Sequence, residues 1–152
     1  MNMNAEHEEI RQGFKHFAEA RKVFSKYKGK WFIGNDNHVG DIGEYWTMRY
    51  FLSAKPELAP SRVSPYDIVL GDGQKLSVKT MSRWNESGRG SPVKGIINKD
   101  WDCLVAIKLD EQFEVDQFCL VPLDKISKRI KDGSPFMWWG WLDEFRKDFN
   151  SR

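Results

Sequence analysis

Pro65-Tyr66-Asp67-Ile68-Val69-Leu70, then Gly71-Asp72-Gly73, then Gln74-Lys75-Leu76-Ser77-Val78-Lys79-Thr80 is the stretch that decides the fold. Two short apolar runs flank a glycine-rich turn, which is the signature of a β-hairpin. The loop length matters, because directly opposed residues of an antiparallel pair point to one face. A two-residue loop at Asp72-Gly73 sets Asp67 opposite Val78. A three-residue loop, Gly71-Asp72-Gly73 with Gly73 in the left-handed region, sets Asp67 opposite Ser77 and puts Asp67, Ser77 and Lys79 on one face. The three-residue loop is expected. Aspartate is depleted from strands, and a lysine in an apolar strand is costly unless its ammonium reaches water or a partner. The two charges make either an exposed cross-strand ion pair or a site.

On the C-terminal side, residues 83–99 lack periodicity and hold Gly88, Gly90, Pro92 and Gly95, so they read as a long loop or crossover. Asp102 to Leu109 reads as a strand buried on both faces. Phe113 to Val121 is another strand, and Pro122 to Lys131 a short helix, with proline at its start and Gly133 after its end. The tail from Phe136 is expected to end in a helix through Phe149. Its Trp138, Trp139, Trp141, Phe145 and Phe149 read as core or subunit interface rather than a base-stacking platform.

On the N-terminal side, Pro56, Pro60 and Pro65 punctuate the approach to the hairpin. Val39 to Ser53 reads as a helix apolar nearly all round, hence buried on several sides. Turn residues Gly34-Asn35-Asp36-Asn37 precede it. Ala5 to Tyr27 reads as an amphipathic helix with Ile10, Phe14, Phe17, Ala20, Phe24 and Tyr27 on one stripe. The lysines and arginine of its second half suit a helix C-terminus, or a phosphate-contacting patch. Helix, helix, hairpin, crossover, strand, strand, helix is an α/β order with a mixed sheet.

The chain has 152 residues, enough for one domain with a real core. A formal net charge of +2 at 30% charged residues does not announce a nucleic-acid binder, so a basic surface has to come from clustering. The two cysteines, Cys103 and Cys119, sit in apolar runs and read as buried thiols. The N-terminus lacks an apolar signal segment, and no run is long enough to span a bilayer, so a cytoplasmic location without membrane contact is expected.

Glu44, in Gly40-Asp41-Ile42-Gly43-Glu44, adds a helix carboxylate ahead of the hairpin. A helix glutamate, an aspartate on the first hairpin strand and a triplet ending in lysine on the second together resemble the PD-(D/E)xK nuclease superfamily, over about Val39 to Leu109. The matching residues are Glu44, Asp67 and Ser77-Val78-Lys79. Two features depart from the family. Ser77 stands where it usually has Glu, Gln or Asp, although some restriction enzymes with a Ser-x-Lys triplet recruit a helix glutamate instead. Residues 83–99 show no clear helix between the lysine strand and the next core strand.

The resemblance implies one restriction-endonuclease-like domain over 1–152, a mixed β-sheet flanked by helices with an added N-terminal helix. It implies a divalent-metal-dependent endonuclease acting on DNA. The expected catalytic residues are Glu44, Asp67, Lys79 and Ser77. Mg²⁺, or Mn²⁺ in its place, is expected on Glu44, Asp67 and the Val78 carbonyl. Asp41 is a lesser candidate. Arg83, Trp84, Arg89, Lys94 and Lys99 are expected to contact nucleic acid, with a solvated loop as the plainer reading. His38 reads as a turn residue. Cutting both strands calls for two sites, hence a homodimer. The alternative is a degenerate nuclease fold kept as a nucleic-acid-binding or protein-interaction module.

Overall fold

A computed structural model describes residues 38–61, 63–82, 92–94, 100–110 and 113–149, with scattered positions between 5 and 31. The strands are β1 (Glu57–Leu58), β2 (Ile68–Val69), β3 (Lys75–Ser82), β4 (Val93–Lys94), β5 (Cys103–Leu109), β6 (Val115–Pro122) and β7 (Phe136–Met137). The helices are α1 (His38–Tyr50), α2 (Leu123–Lys131) and α3 (Trp139–Leu142). Described positions at Ala5, His16, Glu19, Ala20, 22–24 and Lys26 are also helical, within the expected N-terminal helix. The expected turn at 34–37 lies outside the described residues.

A five-stranded sheet runs β1-β2-β3-β5-β6, and β4 and β7 form a separate two-stranded ribbon. The β3–β5 pair is parallel and the others are antiparallel, giving the mixed α/β sheet with flanking helices expected from the order of elements. The interior strand β5 is buried along nearly its whole length, since layers cover it on both faces.

Strand alternation sorts the core into two clusters. Leu76 and Val78 of β3, with Cys103, Val105, Ile107 and Leu109 of β5, pack against Ile42, Met48 and Tyr50 of α1. Leu104 and Ala106 of β5, with Cys119 and Val121 of β6, face Ile126 of α2, Trp139 and Leu142 of α3, and the ribbon's Val93 and Met137. The sheet is thus sandwiched between α1 and a layer made by α2, α3 and the ribbon. Both cysteines are buried free thiols. Desolvation raises each to about 11 from an ordinary 9.0.

Three expectations need correction. Glu57–Leu58 forms a strand inside the proline-punctuated stretch; it is a sheet edge, where flanking prolines cost no ladder bond. Val93–Lys94 forms β4 within the stretch read as loop, because β7 supplies its hydrogen bonds from far along the chain. The C-terminal helix stops early. Beyond Asp143–Phe145 the chain is extended, with Arg146 bridged to Cys119 and the Lys147 amide donating to the Phe118 carbonyl at 2.8 Å. Phe149 then packs on Phe118 with ring centroids 5.3 Å apart. Trp139 is buried, but Trp138 is 54% exposed and so is not core.

Candidate active site

The hairpin carries the expected loop. Ile68 pairs with Leu76 and Val69 with Lys75, and the Leu70 amide donates to the Gln74 carbonyl at 2.8 Å. That leaves Gly71, Asp72 and Gly73 as the loop, with Gly73 at φ +90°. The turn is braced by the Gln74 amide, which donates to the Asp72 carboxylate at 3.0 Å.

Past Ile68 the ladder opens. The Leu76 carbonyl, opposite Ile68, also accepts the Asp67 amide at 2.9 Å. Two consecutive residues thus share one partner, which is how a bulge takes a strand out of register. A continued ladder would give the Val78 amide to the Tyr66 carbonyl. Instead the Val78 amide donates to Asp67 Oδ2 at 2.6 Å, a charge-assisted bond. The Asp67 carbonyl accepts the Ala59 amide at 2.8 Å, so its backbone is fixed from both sides. Inter-strand amides point in the plane of the sheet. The Asp67 carboxylate therefore lies in the gap between the parting strands. Its other oxygen takes no hydrogen bond among the described residues.

Ser77 and Lys79 flank Val78. Both project to the face opposite α1, because Thr80 meets α1 and side chains alternate along a strand. Ser77 is 7% exposed, whereas Lys79 is exposed and makes no ion pair among the described residues. In parallel pairing Lys79 lies beside Ala106, whose methyl leaves room for the lysine stem to lie along the sheet.

Glu44 comes from the other layer. The α1 helix sits so close to β3 that a Cβ at Gly43 would fall 1.7 Å from Thr80 Oγ1. Only glycine permits that approach. Glu44 follows it, half-buried, and Asp41 lies one turn earlier at 4% exposure. The structure thus places Glu44 in the layer on the α1 side of the sheet, opposite the face to which Ser77 and Lys79 project. Among the described residues no three His, Cys, Asp or Glu side chains group closely enough to hold a metal, so Asp41, Glu44 and Asp67 form no three-carboxylate cage. The available donors are carboxylates, a backbone carbonyl and a hydroxyl, all oxygen. Such a sparse set fits a hard cation that keeps most of its waters.

Arg83, Trp84, Arg89 and Lys99 lie outside the described residues. Lys94 is exposed on β4. His38 opens α1, its ring 5.9 Å from that of Phe24, rather than occupying a turn.

No family model matches this chain, and no curated protein matches it in sequence. Among solved structures, a bacterial homing endonuclease is similar at 23% identity and a TM-score of 0.42, over 60% of this chain and 71% of that one. Among the described residues no helix is long and apolar enough to cross a membrane.

Proposed function

We propose that this chain is a divalent-metal-dependent endonuclease that hydrolyses DNA phosphodiester bonds, in a restriction or repair setting. The observation that supports it most is the Asp67 carboxylate, tied to the Val78 amide at 2.6 Å in an open strand fork, with Lys79 next along the strand and in no ion pair among the described residues. A structural ion pair would have joined Asp67 to Lys79, and among the described residues no such pair forms.

Asp67, Glu44 and the Val78 carbonyl would hold Mg²⁺, or Mn²⁺ in its place. When bound, the ion polarises the phosphate and acidifies water. The Asp67 oxygen that is not bonded to the Val78 amide would be its contribution to that ligand set. Glu44 supplies the second negative charge from α1, in the role the missing acid at 77 leaves vacant. The Lys79 ammonium positions the attacking water or neutralises charge building on the phosphate oxygens. Ser77 contributes a neutral hydroxyl. DNA is the substrate, and two copies would cut two strands.

The second reading is a degenerate nuclease fold that binds without cutting, favoured by the nearly buried Ser77 where an acid is usual. Plasmid nicking by wild type, Lys79→Ala and Ser77→Glu across an Mg²⁺ or Mn²⁺ titration separates the two. The nuclease reading expects wild-type cleavage that Lys79→Ala abolishes. Cleavage that survives Lys79→Ala sinks the assignment. No cleavage by wild type, with metal-dependent cleavage by Ser77→Glu, establishes the degenerate fold instead.

A further inference from the structure

The β4–β7 ribbon does more than close the core. Its register pairs Val93 with Met137 and Lys94 with Phe136. Val93 and Met137 point inward, 6% and 1% exposed. Lys94 and Phe136 therefore share the outer face, and Trp138, in an extended conformation at φ −81° and ψ 152°, continues it. Phe136 is 43% exposed and Trp138 54%, which places two large aromatic rings in water beside a lysine.

Side-chain bonds tie this surface to α2 and to the preceding turn. The Phe136 carbonyl accepts Arg129 Nε at 3.2 Å, and the Phe136 amide donates to Ser134 Oγ at 3.3 Å. The Arg129 guanidinium is itself set 4.6 Å from the Trp141 ring centroid. The ribbon's inner side joins the cluster on the sheet face to which Lys79 projects, and Met81 of β3 packs on that same cluster.

We propose that the outer face of this ribbon captures an unstacked base of a nucleic-acid strand, with Phe136 and Trp138 on either side of the base and Lys94 on a neighbouring phosphate. The spacing fits. Residues two apart in an extended chain are separated by about 6.6 Å. That is about twice the 3.4 Å rise per nucleotide of a strand, leaving room for one base between two rings. Stacking on aromatics needs no particular base, while Lys94 supplies the charge complement. The inference deepens the nuclease reading and rests on it only for the class of ligand.

The test is binding of fluorescent single-stranded DNA to the full chain in EDTA, across a salt series, followed by nicking assays with metal. Trp138→Ala and Phe136→Ala should each weaken binding by about five- to a hundred-fold with the salt slope unchanged. Trp138→Phe should retain most of the affinity, and Lys94→Ala should lower the slope by about one ion. Fully paired duplex should bind more weakly and lose less on substitution. Unchanged single-strand affinity in both aromatic variants overturns the ribbon, and if wild type still nicks DNA the nuclease reading survives. Binding losses as expected, without nicking by wild type, keep the ribbon and overturn the nuclease. No nucleic-acid binding by wild type overturns both. A dimer that falls to monomer in the aromatic variants, with affinity unchanged, assigns the patch to contact between copies and overturns base capture.

Discussion

Replacing Gly43 by alanine tests the packing that brings α1 to β3, and its sign is diagnostic. Inside a helix, alanine is ordinarily favoured over glycine by about 0.5–1 kcal/mol. The new methyl carbon at position 43 would lie 1.7 Å from Thr80 Oγ1, 2.7 Å from Thr80 Cβ and 2.8 Å from Thr80 Cγ2. Ordinary contact begins near 3.4 Å, so the helix must retreat by well over an ångström or the strand must distort. Overpacking of this kind costs about 1–3 kcal/mol. Gly43→Ala should therefore destabilise the protein, lowering Tm by about 3–10 °C for a chain of this size. Gly140, in α3, has nothing within 4 Å of where a Cβ would sit, so Gly140→Ala should be neutral or mildly stabilising. Thr80→Ala removes Oγ1 and Cγ2 but leaves Cβ, so it should recover part of the loss in the double variant. It also removes a buried hydroxyl that has no hydrogen-bond partner among the described residues. Urea and thermal unfolding of wild type, the two single variants and the double variant give the double-mutant cycle. A Gly43→Ala variant as stable as wild type, or a loss that Thr80→Ala does not touch, refutes the close approach and with it the placement of Glu44.

Asp67→Asn keeps an acceptor for the Val78 amide but removes the charge, so folding should weaken by only about 1 kcal/mol. On the proposed function, calorimetric titration with Mn²⁺ should lose its binding signal. Trp46 Nε1 donates to the Phe113 carbonyl at 2.9 Å, where Phe113 adopts φ +62°, so Trp46→Phe should cost about 1 kcal/mol in urea unfolding. Cys103 and Cys119 are raised in the folded state to about 11 from 9.0. The folded protein thus favours the neutral thiols. Their contribution is complete below pH 9 and is lost as pH climbs toward 11. Urea midpoints should fall across that window in wild type and fall less in a Cys103→Ala/Cys119→Ala variant.

The hairpin is legible in the sequence because its information is local: Gly-Asp-Gly fixes the loop, and the loop fixes the register of Ser77 and Lys79. The buried strand β5 is legible from its unbroken apolar run. The ribbon is not, since Val93–Lys94 becomes a strand only through Phe136–Met137, a pairing that leaves no periodic trace in either segment. Trp138 escapes a sequence reading for a related reason: apolar spacing does not reveal which of two adjacent tryptophans turns inward. At the site, Asp67 is readable as an out-of-place charge. The layer from which Glu44 arrives is not, because a helix apolar nearly all round does not declare which side meets the sheet. The bulge at Asp67 is equally hidden, being set by a side-chain bond to Val78 rather than by turn chemistry.

The extended tail that stands in place of the expected helix also governs how molecules can assemble. Exposed strand edges invite copies to join into endless sheets. Here β6 is screened over part of its outer side by Arg146 and Lys147, whose backbone bridge to Cys119, bond to the Phe118 carbonyl and guanidinium contact with the Asp116 carbonyl at 3.2 Å occupy groups a foreign strand would need. At the other end β1 is two residues long and bracketed by Pro56 and Pro60, which cannot donate to a neighbour. Both ends of the five-stranded sheet are thereby blunted against fibre growth, and a pair of copies would have to meet through some other surface than these two edges.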